Sequence, residues 1–225
     1  MAVILNIESA TTNCSVSIAR DGKILSLIEE DQGRYSHSEQ LHLFIERSLK
    51  EVQILPKDLD AVAVGKGPGS YTGLRIGVST AKGLCYALDI PMISLNTLEI
   101  MAHSVNIESG YLIPLLDARR MEVYAAVFDH QHKLVKPTWA EVVDENSFSE
   151  FIKQKPVYLL GNGTTKCKEI LQGTDLKYFP ELVPSATPMA TMSYESFRNE
   201  LFENTAYFEP FYLKDFIVTK SKKKS

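Results

Sequence analysis

The spacing of hydrophobic residues changes along the first half of the chain from a strand pattern to a helix pattern. Three short β-rich runs come first, over residues 2–7, 13–19 and 23–29. Asp21-Gly22 is a typical hairpin turn between the second and third runs. Ser36 and Glu39 then have the spacing of a helix capping box. Hydrophobic residues recur behind them at helical intervals, at Leu41, Ile45, Leu49 and Val52. The pattern predicts three antiparallel strands followed by a helix.

A second strand–helix unit follows, joined by a glycine-rich loop. DAVAVG, residues 60–65, is a continuous apolar run of the kind that is buried on both faces of a sheet. After the loop GKGPGSYTGLR, a long helix is indicated by Leu74, Val78, Ala81, Cys85 and Leu88. Residues 91–95 read as a strand, and a short helix follows. The first 105 residues therefore predict a mixed sheet with helical crossovers.

The second half of the chain repeats this order loosely. Strand-like segments cover residues 111–118, 121–129 and 134–143, and SFSEFIKQ is helical. PVYLLGNGTTKCKEIL then echoes the first-half succession of apolar strand, glycine loop and helix, and a further helix is indicated at 186–202. We interpret the chain as a duplicated α/β protein with domains 1–105 and 106–213. The basic tail 214–225, with lysines at 220 and 222–224, is predicted to be disordered.

Composition narrows the class of protein. The chain has 225 residues and a formal net charge of −4, so it lacks the basic character of a nucleic-acid binder that acts alone. No charged-then-apolar leader opens the sequence, and no stretch approaches the ~20 apolar residues of a membrane span. Three distant cysteines without CxxC spacing suit a reducing compartment. We expect a cytoplasmic protein without membrane contact.

The loop GKGPGSYTGLR allows two interpretations. A strand, a glycine loop and a helix N-terminus can cradle a phosphate, which makes Gly67, Gly69 and Ser70 candidate anion contacts. The spacing fits neither Walker A nor G-x-G-x-x-G nor G-x-S-x-G, so a tight turn is the alternative. Arg75, in the first turn of the helix, is a candidate contact to a carboxylate or phosphate, because a cation there is unfavourable without one.

The helix after the loop carries small residues on two lines. Gly73, Gly77 and Ala81 form one line. Ser79, Gly83 and Ala87 form another. Each glycine costs ~1 kcal/mol in a helix interior, so close packing should compensate. The packing partner is either the sheet of this chain or a helix of a second subunit, with the apolar helix 38–53 beside it.

Several motifs, in order and spacing, resemble the TsaB family. They are ILNIESATTNCSVSI, HSEQL, DLDAVAVGKGPGSYTGLRIGVSTAKGLCYAL, IPMISLNTLE, LLDARRMEVYAA and EPFYLK. This family, also known as YeaZ and grouped with glycoprotease-like proteins, supplies a bacterial subunit of the machinery that makes threonylcarbamoyladenosine in tRNA. The resemblance implies an α/β actin-like ATPase (ASKHA) fold with two RNase H-like halves.

The resemblance also implies a role for this chain. It implies a non-catalytic paralogue that pairs with a catalytic TsaD-type subunit and works with a TsaE-type ATPase, so tRNA is met only within the complex. Pairing through the first two helices gives a partner interface at Leu41, Ile45, Gly73, Gly77 and Ala81. A homodimer of the isolated chain, and ATP or ADP at the subunit interface, stay open.

Catalytic relatives of this group carry an Asn-His-x-x-x-His metal motif, and the matching stretch here is SLNTLEIMAHS. Thr97 and Met101 occupy the two histidine positions, and neither replaces imidazole as a ligand. We therefore expect no catalytic residue and no metal. The alternative is a self-contained kinase or ATPase, in which Glu8 of the first hairpin would be the carboxylate near the phosphates. A metallopeptidase would need H-E-x-x-H, which the chain lacks.

Overall fold

Two five-stranded mixed sheets form the framework of the computed structural model, which describes residues 1–31, 33, 37–171, 173 and 175–214. The predicted cap Ser36 and the tail lysines lie outside these residues. The first half contains β1 (Val3–Glu8), β2 (Asn13–Arg20), β3 (Lys23–Asp31), α1 (His37–Glu51), β4 (Ala61–Gly67), α2 (Tyr71–Leu88), β5 (Met92–Asn96) and α3 (Thr97–Ala102). A single 3₁₀ turn, Pro56–Asp58, precedes β4.

The second half has the same succession of strands and helices. Its elements are β6 (Tyr111–Asp117), β7 (Glu122–Asp129), β8 (Leu134–Val142), α4 (Ser149–Ile152), β9 (Val157–Leu160), α5 (Thr164–Lys168) and β10 (Leu176–Phe179). A last helix, α6, spans Ala186–Arg198. The strand β10 was not predicted from the sequence, because its four residues alternate between half-buried and exposed positions and have no apolar run.

The two sheets have the same strand order and the same strand directions. The first runs β3-β2-β1-β4-β5 and the second runs β8-β7-β6-β9-β10. The central strands β1 and β6 each pair antiparallel with the next strand along the chain, β2 or β7, and parallel with β4 or β9. The edge strands β5 and β10 pair parallel with β4 and β9. The predicted duplication is confirmed, and the architecture is the actin-like ATPase fold with two RNase H-like halves.

The helices bury both faces of the first sheet. One core lies between the sheet and the apolar faces of α1 and α2. The opposite face, with Ile4, Ala63 and Ile93, is covered by Met189 and Met192 of α6. The predicted division assigned α6 to the second domain, whereas this helix packs on the first sheet because its apolar face completes that core. The boundary at residue 105 itself stays a prediction.

A further core cluster joins the two halves. Leu98, Met101 and Ala102 of α3 pack with residues of the second sheet, among them Leu112 and Phe128. The short helix at the end of the first half is therefore part of the contact between the halves. Within the described part of the chain, no helix is long and apolar enough to cross a membrane.

Candidate functional site

The turn between β4 and α2 packs against the β1–β2 hairpin. The Ser70 amide donates a hydrogen bond to the Ala10 carbonyl at 2.7 Å. Ser70 also begins α2 as its N-cap, since its hydroxyl accepts from the Gly73 amide at 3.2 Å. A methyl group at Gly69 would overlap Ala10.

The start of the same turn contacts residues near the C-terminal end of the chain. Gly67 has φ +109° and lies against the carbonyl of Phe211. The Phe211 amide donates to the Lys66 carbonyl at 2.7 Å. These contacts favour the tight-turn interpretation over the phosphate cradle.

Glu8 lies at the end of β1 and is fully buried. One carboxyl oxygen, Oε1, accepts from the Ala10 amide at 2.7 Å, while Oε2 has no hydrogen-bond partner among the described residues. The carboxyl group fills the space above Gly65, where a Cβ would overlap it. Burial raises the pKa of Glu8 to about 7, against the opposing effect of the backbone hydrogen bonds. Because the carboxyl group is buried and bonded within its own hairpin, these contacts favour the role of a turn residue over that of a phosphate-proximal carboxylate.

Arg75 is exposed and lies next to aromatic rings. Its guanidinium carbon is 4.0 Å from the centroid of the Tyr71 ring, and its Nε donates to the Tyr212 hydroxyl at 3.3 Å. Tyr212 belongs to the C-terminal segment, which we define as residues 204–214. The same segment accepts a hydrogen bond from Lys82 of α2, at the Phe208 carbonyl, at 2.9 Å. The sequence predicted a carboxylate or phosphate contact for Arg75; among the described residues its guanidinium group contacts the Tyr71 ring and the Tyr212 hydroxyl, and an anion supplied by a ligand stays a prediction.

The five residues predicted as a partner interface lie inside the chain. Leu41, Ile45 and Ala81 are buried in the core beneath the first sheet. A Cβ at Gly73 would overlap the Ser9 carbonyl, and one at Gly77 would overlap the Ser9 hydroxyl oxygen. The Ser9 hydroxyl donates to the Gly73 carbonyl at 2.9 Å. This line of small residues lets α2 approach the β1–β2 hairpin, which supports the internal-packing alternative, and the interface assignment stays a prediction.

The second line of small residues faces solvent. Ser79, Thr80, Gly83 and Leu84 of α2, with His42 and Ile45 of α1, line a groove of about 410 Å³. A Cβ at Gly83 would meet nothing within 4 Å. On the exposed faces of the same two helices, Leu43 is 55% exposed and Tyr86 is 89% exposed. Ile45 is the one predicted interface residue that also lines this groove.

Sequence reasoning named Ser79, Gly83 and Ala87 but not the exposed apolar residues of these helices. Leu43 stands apart from the buried stripe of α1, and Tyr86 occupies an otherwise polar and small-residue face of α2. A large apolar side chain outside the core stripe is the sequence signal that points to such a surface.

The two positions that match the metal-binding histidines of the catalytic relatives are buried. Thr97 and Met101 are fully buried at the N- and C-terminal turns of α3. His103 follows this helix and stacks on His132 of the β7–β8 turn, with ring centroids 4.5 Å apart. Burial, and secondarily His132, lower the pKa of His103 to about 4. In residues 1–214, apart from the six positions left undescribed, no three His, Cys, Asp or Glu side chains are placed to hold a metal ion.

Comparisons with known proteins agree with this fold. Residues 31–220 match the model of a family described as TsaD, tRNA N6-adenosine threonylcarbamoyltransferase. The tRNA threonylcarbamoyladenosine biosynthesis protein TsaB of Bacillus subtilis is 31% identical over 175 residues, which cover 75% of each chain. The protein of the same name from Escherichia coli is 27% identical over 234 residues and 96% of each chain.

A solved structure has the same fold over nearly the whole chain. It comes from Pseudomonas aeruginosa and is described as a protein with similarity to the peptidase YeaZ. It has a TM-score of 0.83 at 23% identity and covers 95% of this chain and 100% of the other. Together, the family model and the relatives confirm the resemblance drawn from the motifs. The chain belongs to the TsaB family of tRNA threonylcarbamoyladenosine biosynthesis proteins, within the group that shares the TsaD-type domain.

Proposed function

We propose that this chain is the non-catalytic partner subunit of a bacterial complex that makes N6-threonylcarbamoyladenosine at position 37 of tRNA. The observation that carries the proposal is the open groove between α1 and α2. Small residues of α2, such as Ser79 and Gly83, line it together with the apolar side chains of Ile45 and Leu84. Small residues let two helices from different subunits approach closely. The partner is a TsaD-type paralogue, which would pack its own helices into this groove.

The interior of the β1–β2 hairpin supports a role without catalysis. Glu8, the candidate carboxylate of a kinase or ATPase, is buried and accepts a hydrogen bond from the chain itself. In the turn between β4 and α2, the Ser70 amide is likewise bonded to Ala10 and the Lys66 carbonyl to Phe211. These contacts favour the partner-subunit role over a self-contained nucleotide-dependent enzyme.

The proposal includes the other members of the reaction. The paralogue transfers the threonylcarbamoyl group, a TsaE-type ATPase joins the pair, and ATP or ADP binds where subunits meet. The chain contacts tRNA only within this assembly, in the cytoplasm. In the absence of the paralogue, the same groove would pair two copies of the chain.

Reconstitution tests the proposal. The chain, its TsaD-type paralogue and the ATPase from one organism are combined with tRNA, and modified adenosine is measured by mass spectrometry. We expect no product from the isolated chain and product from the full mixture. Product formed by the isolated chain would contradict the proposal.

A matched pair of groove variants tests the surface itself. Gly83→Trp fills the groove, so we expect at least a tenfold loss of affinity for the paralogue in calorimetry, with unchanged circular dichroism. Gly83→Ala adds only one methyl group in open space and should bind nearly as well as the wild type. If Gly83→Trp binds the paralogue with wild-type affinity, the groove is not the interface.

A further inference from the structure

The loop between β6 and β7 presents two adjacent arginines to solvent. Arg119 and Arg120 are both exposed, and both have positive φ, at 70° and 50°. Side chains other than glycine seldom adopt this conformation, and two in succession are held only where the surrounding structure fixes them. Throughout the described ranges, neither guanidinium group has a hydrogen bond or an ion pair.

The backbone of this loop is braced from both sides. Asp117 accepts hydrogen bonds from the Arg119 amide at 2.6 Å and from Lys166 Nζ of α5 at 2.7 Å. The Lys166 ammonium also donates to the Glu122 carbonyl at 3.0 Å. The Asp117 amide donates to Asn162 Oδ1 at 2.9 Å. The two arginines therefore project from a fixed turn that is tied to the α5 side of the second sheet.

The acidic residues of this turn are already paired with other cations. Asp117 forms an ion pair with Lys166, and Glu122 forms one with Lys214. The loop and its neighbours thus have four basic side chains and two acidic ones, although the chain as a whole carries a formal net charge of −4. The basic ones are Arg119, Arg120, Lys166 and Lys214. The excess positive charge resides on the two exposed guanidinium groups.

We propose that the Arg119–Arg120 loop binds phosphodiester groups of the RNA substrate. This inference rests on the function proposed above, which brings tRNA to the complex. A guanidinium group matches a phosphate through two parallel hydrogen bonds, and contacts of this kind position a protein on the backbone of a nucleic acid without reading its sequence. A fixed turn keeps both groups exposed, so little backbone conformational entropy is lost when they bind.

An RNA backbone fits this loop better than the acidic surface of a protein. It offers successive phosphates to neighbouring guanidinium groups, and each neutralised phosphate releases counterions. The loop belongs to the second sheet, whereas the groove proposed for the paralogue lies on α1 and α2. RNA binding and subunit pairing can therefore be separated by mutation.

The test uses the complex assembled from the full chain, the TsaD-type paralogue and the ATPase, with tRNA as the probe. The double variant Arg119→Gln with Arg120→Gln removes both charges. We expect the complex to lose fivefold to fiftyfold in tRNA affinity at moderate salt. The slope of log affinity against log salt should decrease by about one to two, since up to two phosphate contacts are lost.

Two further variants keep the test interpretable. Arg119→Gly with Arg120→Gly removes the charges and suits the positive φ, so it should show the same loss even if the glutamine variant folds poorly. Lys133→Gln with Lys153→Gln removes two exposed charges elsewhere in the same half and should leave affinity nearly unchanged.

The outcomes separate this inference from the proposed function. If the wild-type complex fails to assemble or to modify tRNA, the proposed function is overturned and this inference with it. If the wild-type complex is active and the arginine variants keep its tRNA affinity and salt slope, only this inference is overturned. Weakened binding of the paralogue with unchanged tRNA affinity would instead assign the loop to an acidic protein surface and also overturn the inference.

Discussion

At the scale of single residues, Glu8 makes the stability of the chain depend on pH. Its pKa rises from an ordinary value of 4.5 to about 7 because the carboxyl group is buried. The folded chain therefore holds the Glu8 proton more tightly than the unfolded chain does. This residue lowers the free energy of unfolding progressively as the pH rises from about 4.5 to about 7, and the loss is complete above that range.

Glu8→Gln should remove this dependence. Its amide oxygen can still accept from the Ala10 amide, and it cannot ionise. Urea unfolding at pH 8 should show the variant to be more stable than the wild type, by up to about 3 kcal/mol. The difference should shrink toward pH 4.5. The exposed Glu108→Gln serves as the control, and a Glu8→Gln difference that is the same at both pH values would contradict the assignment.

The three cysteines should be unreactive in the folded chain. Burial raises the pKa of Cys14 and of Cys167 to about 12, and that of Cys85 to about 11. The thiolate is the reactive species, so little of it exists at pH 8. A colorimetric thiol reagent should titrate none of the three groups in buffer and all three in denaturant. Rapid reaction of one thiol in buffer would contradict this prediction, because it would show that this thiol is accessible to solvent in the folded chain.

At the scale of elements, the two glycine lines of α2 should respond in opposite ways to an added methyl group. Gly77→Ala would overlap the Ser9 side chain, so we expect a loss of about 1–3 kcal/mol in the free energy of unfolding. Gly83→Ala meets open space and should gain roughly 0.5–1 kcal/mol. Thermal unfolding of both variants measures the contrast. Equal effects would mean that the two faces of the helix are packed alike.

The same helix shows how far sequence reasoning reaches. Its hydrophobic spacing predicted the buried face, with Leu74, Val78 and Cys85, and the structure confirms that face. The spacing could not decide which small-residue line contacts the sheet, because glycine suits a close contact within a chain and one between chains equally well. That choice depends on Ser9, which lies 64 residues before Gly73, and such long-range contacts leave no local signal.

At the scale of the whole molecule, the duplicated architecture was predictable and the path of the last quarter of the chain was not. The two β-β-β-α-β successions are visible in the sequence because each is a local pattern. The return of α6 to the first sheet depends on contacts such as the hydrogen bond of 3.0 Å from Asn13 to the Pro184 carbonyl, which spans 171 residues. The C-terminal segment escaped prediction for the same reason, since Tyr212 meets Arg75 across 137 residues.

Because α6 covers one face of the first sheet, we predict that residues 1–105 cannot fold as an independent domain. Without α6, the sheet face that includes Ile4, Ala63 and Ile93 would be exposed to water. We expect a fragment of residues 1–105 to aggregate or to lack cooperative thermal unfolding, whereas the full chain unfolds cooperatively. Size-exclusion chromatography and circular dichroism of both proteins measure this. A monomeric, cooperatively unfolding fragment would show that the first sheet tolerates an open face.

The position of α6 also has a consequence during synthesis on the ribosome. The strands of the first sheet are translated before residue 97, but the helix that covers one of its faces is complete only at Arg198. A nascent chain therefore carries an uncovered apolar sheet while about a hundred further residues are added. Chaperones that hold exposed apolar surface would act in this interval, and a stalled or truncated product would be a substrate for proteolysis, since the missing part is the one that closes the first half.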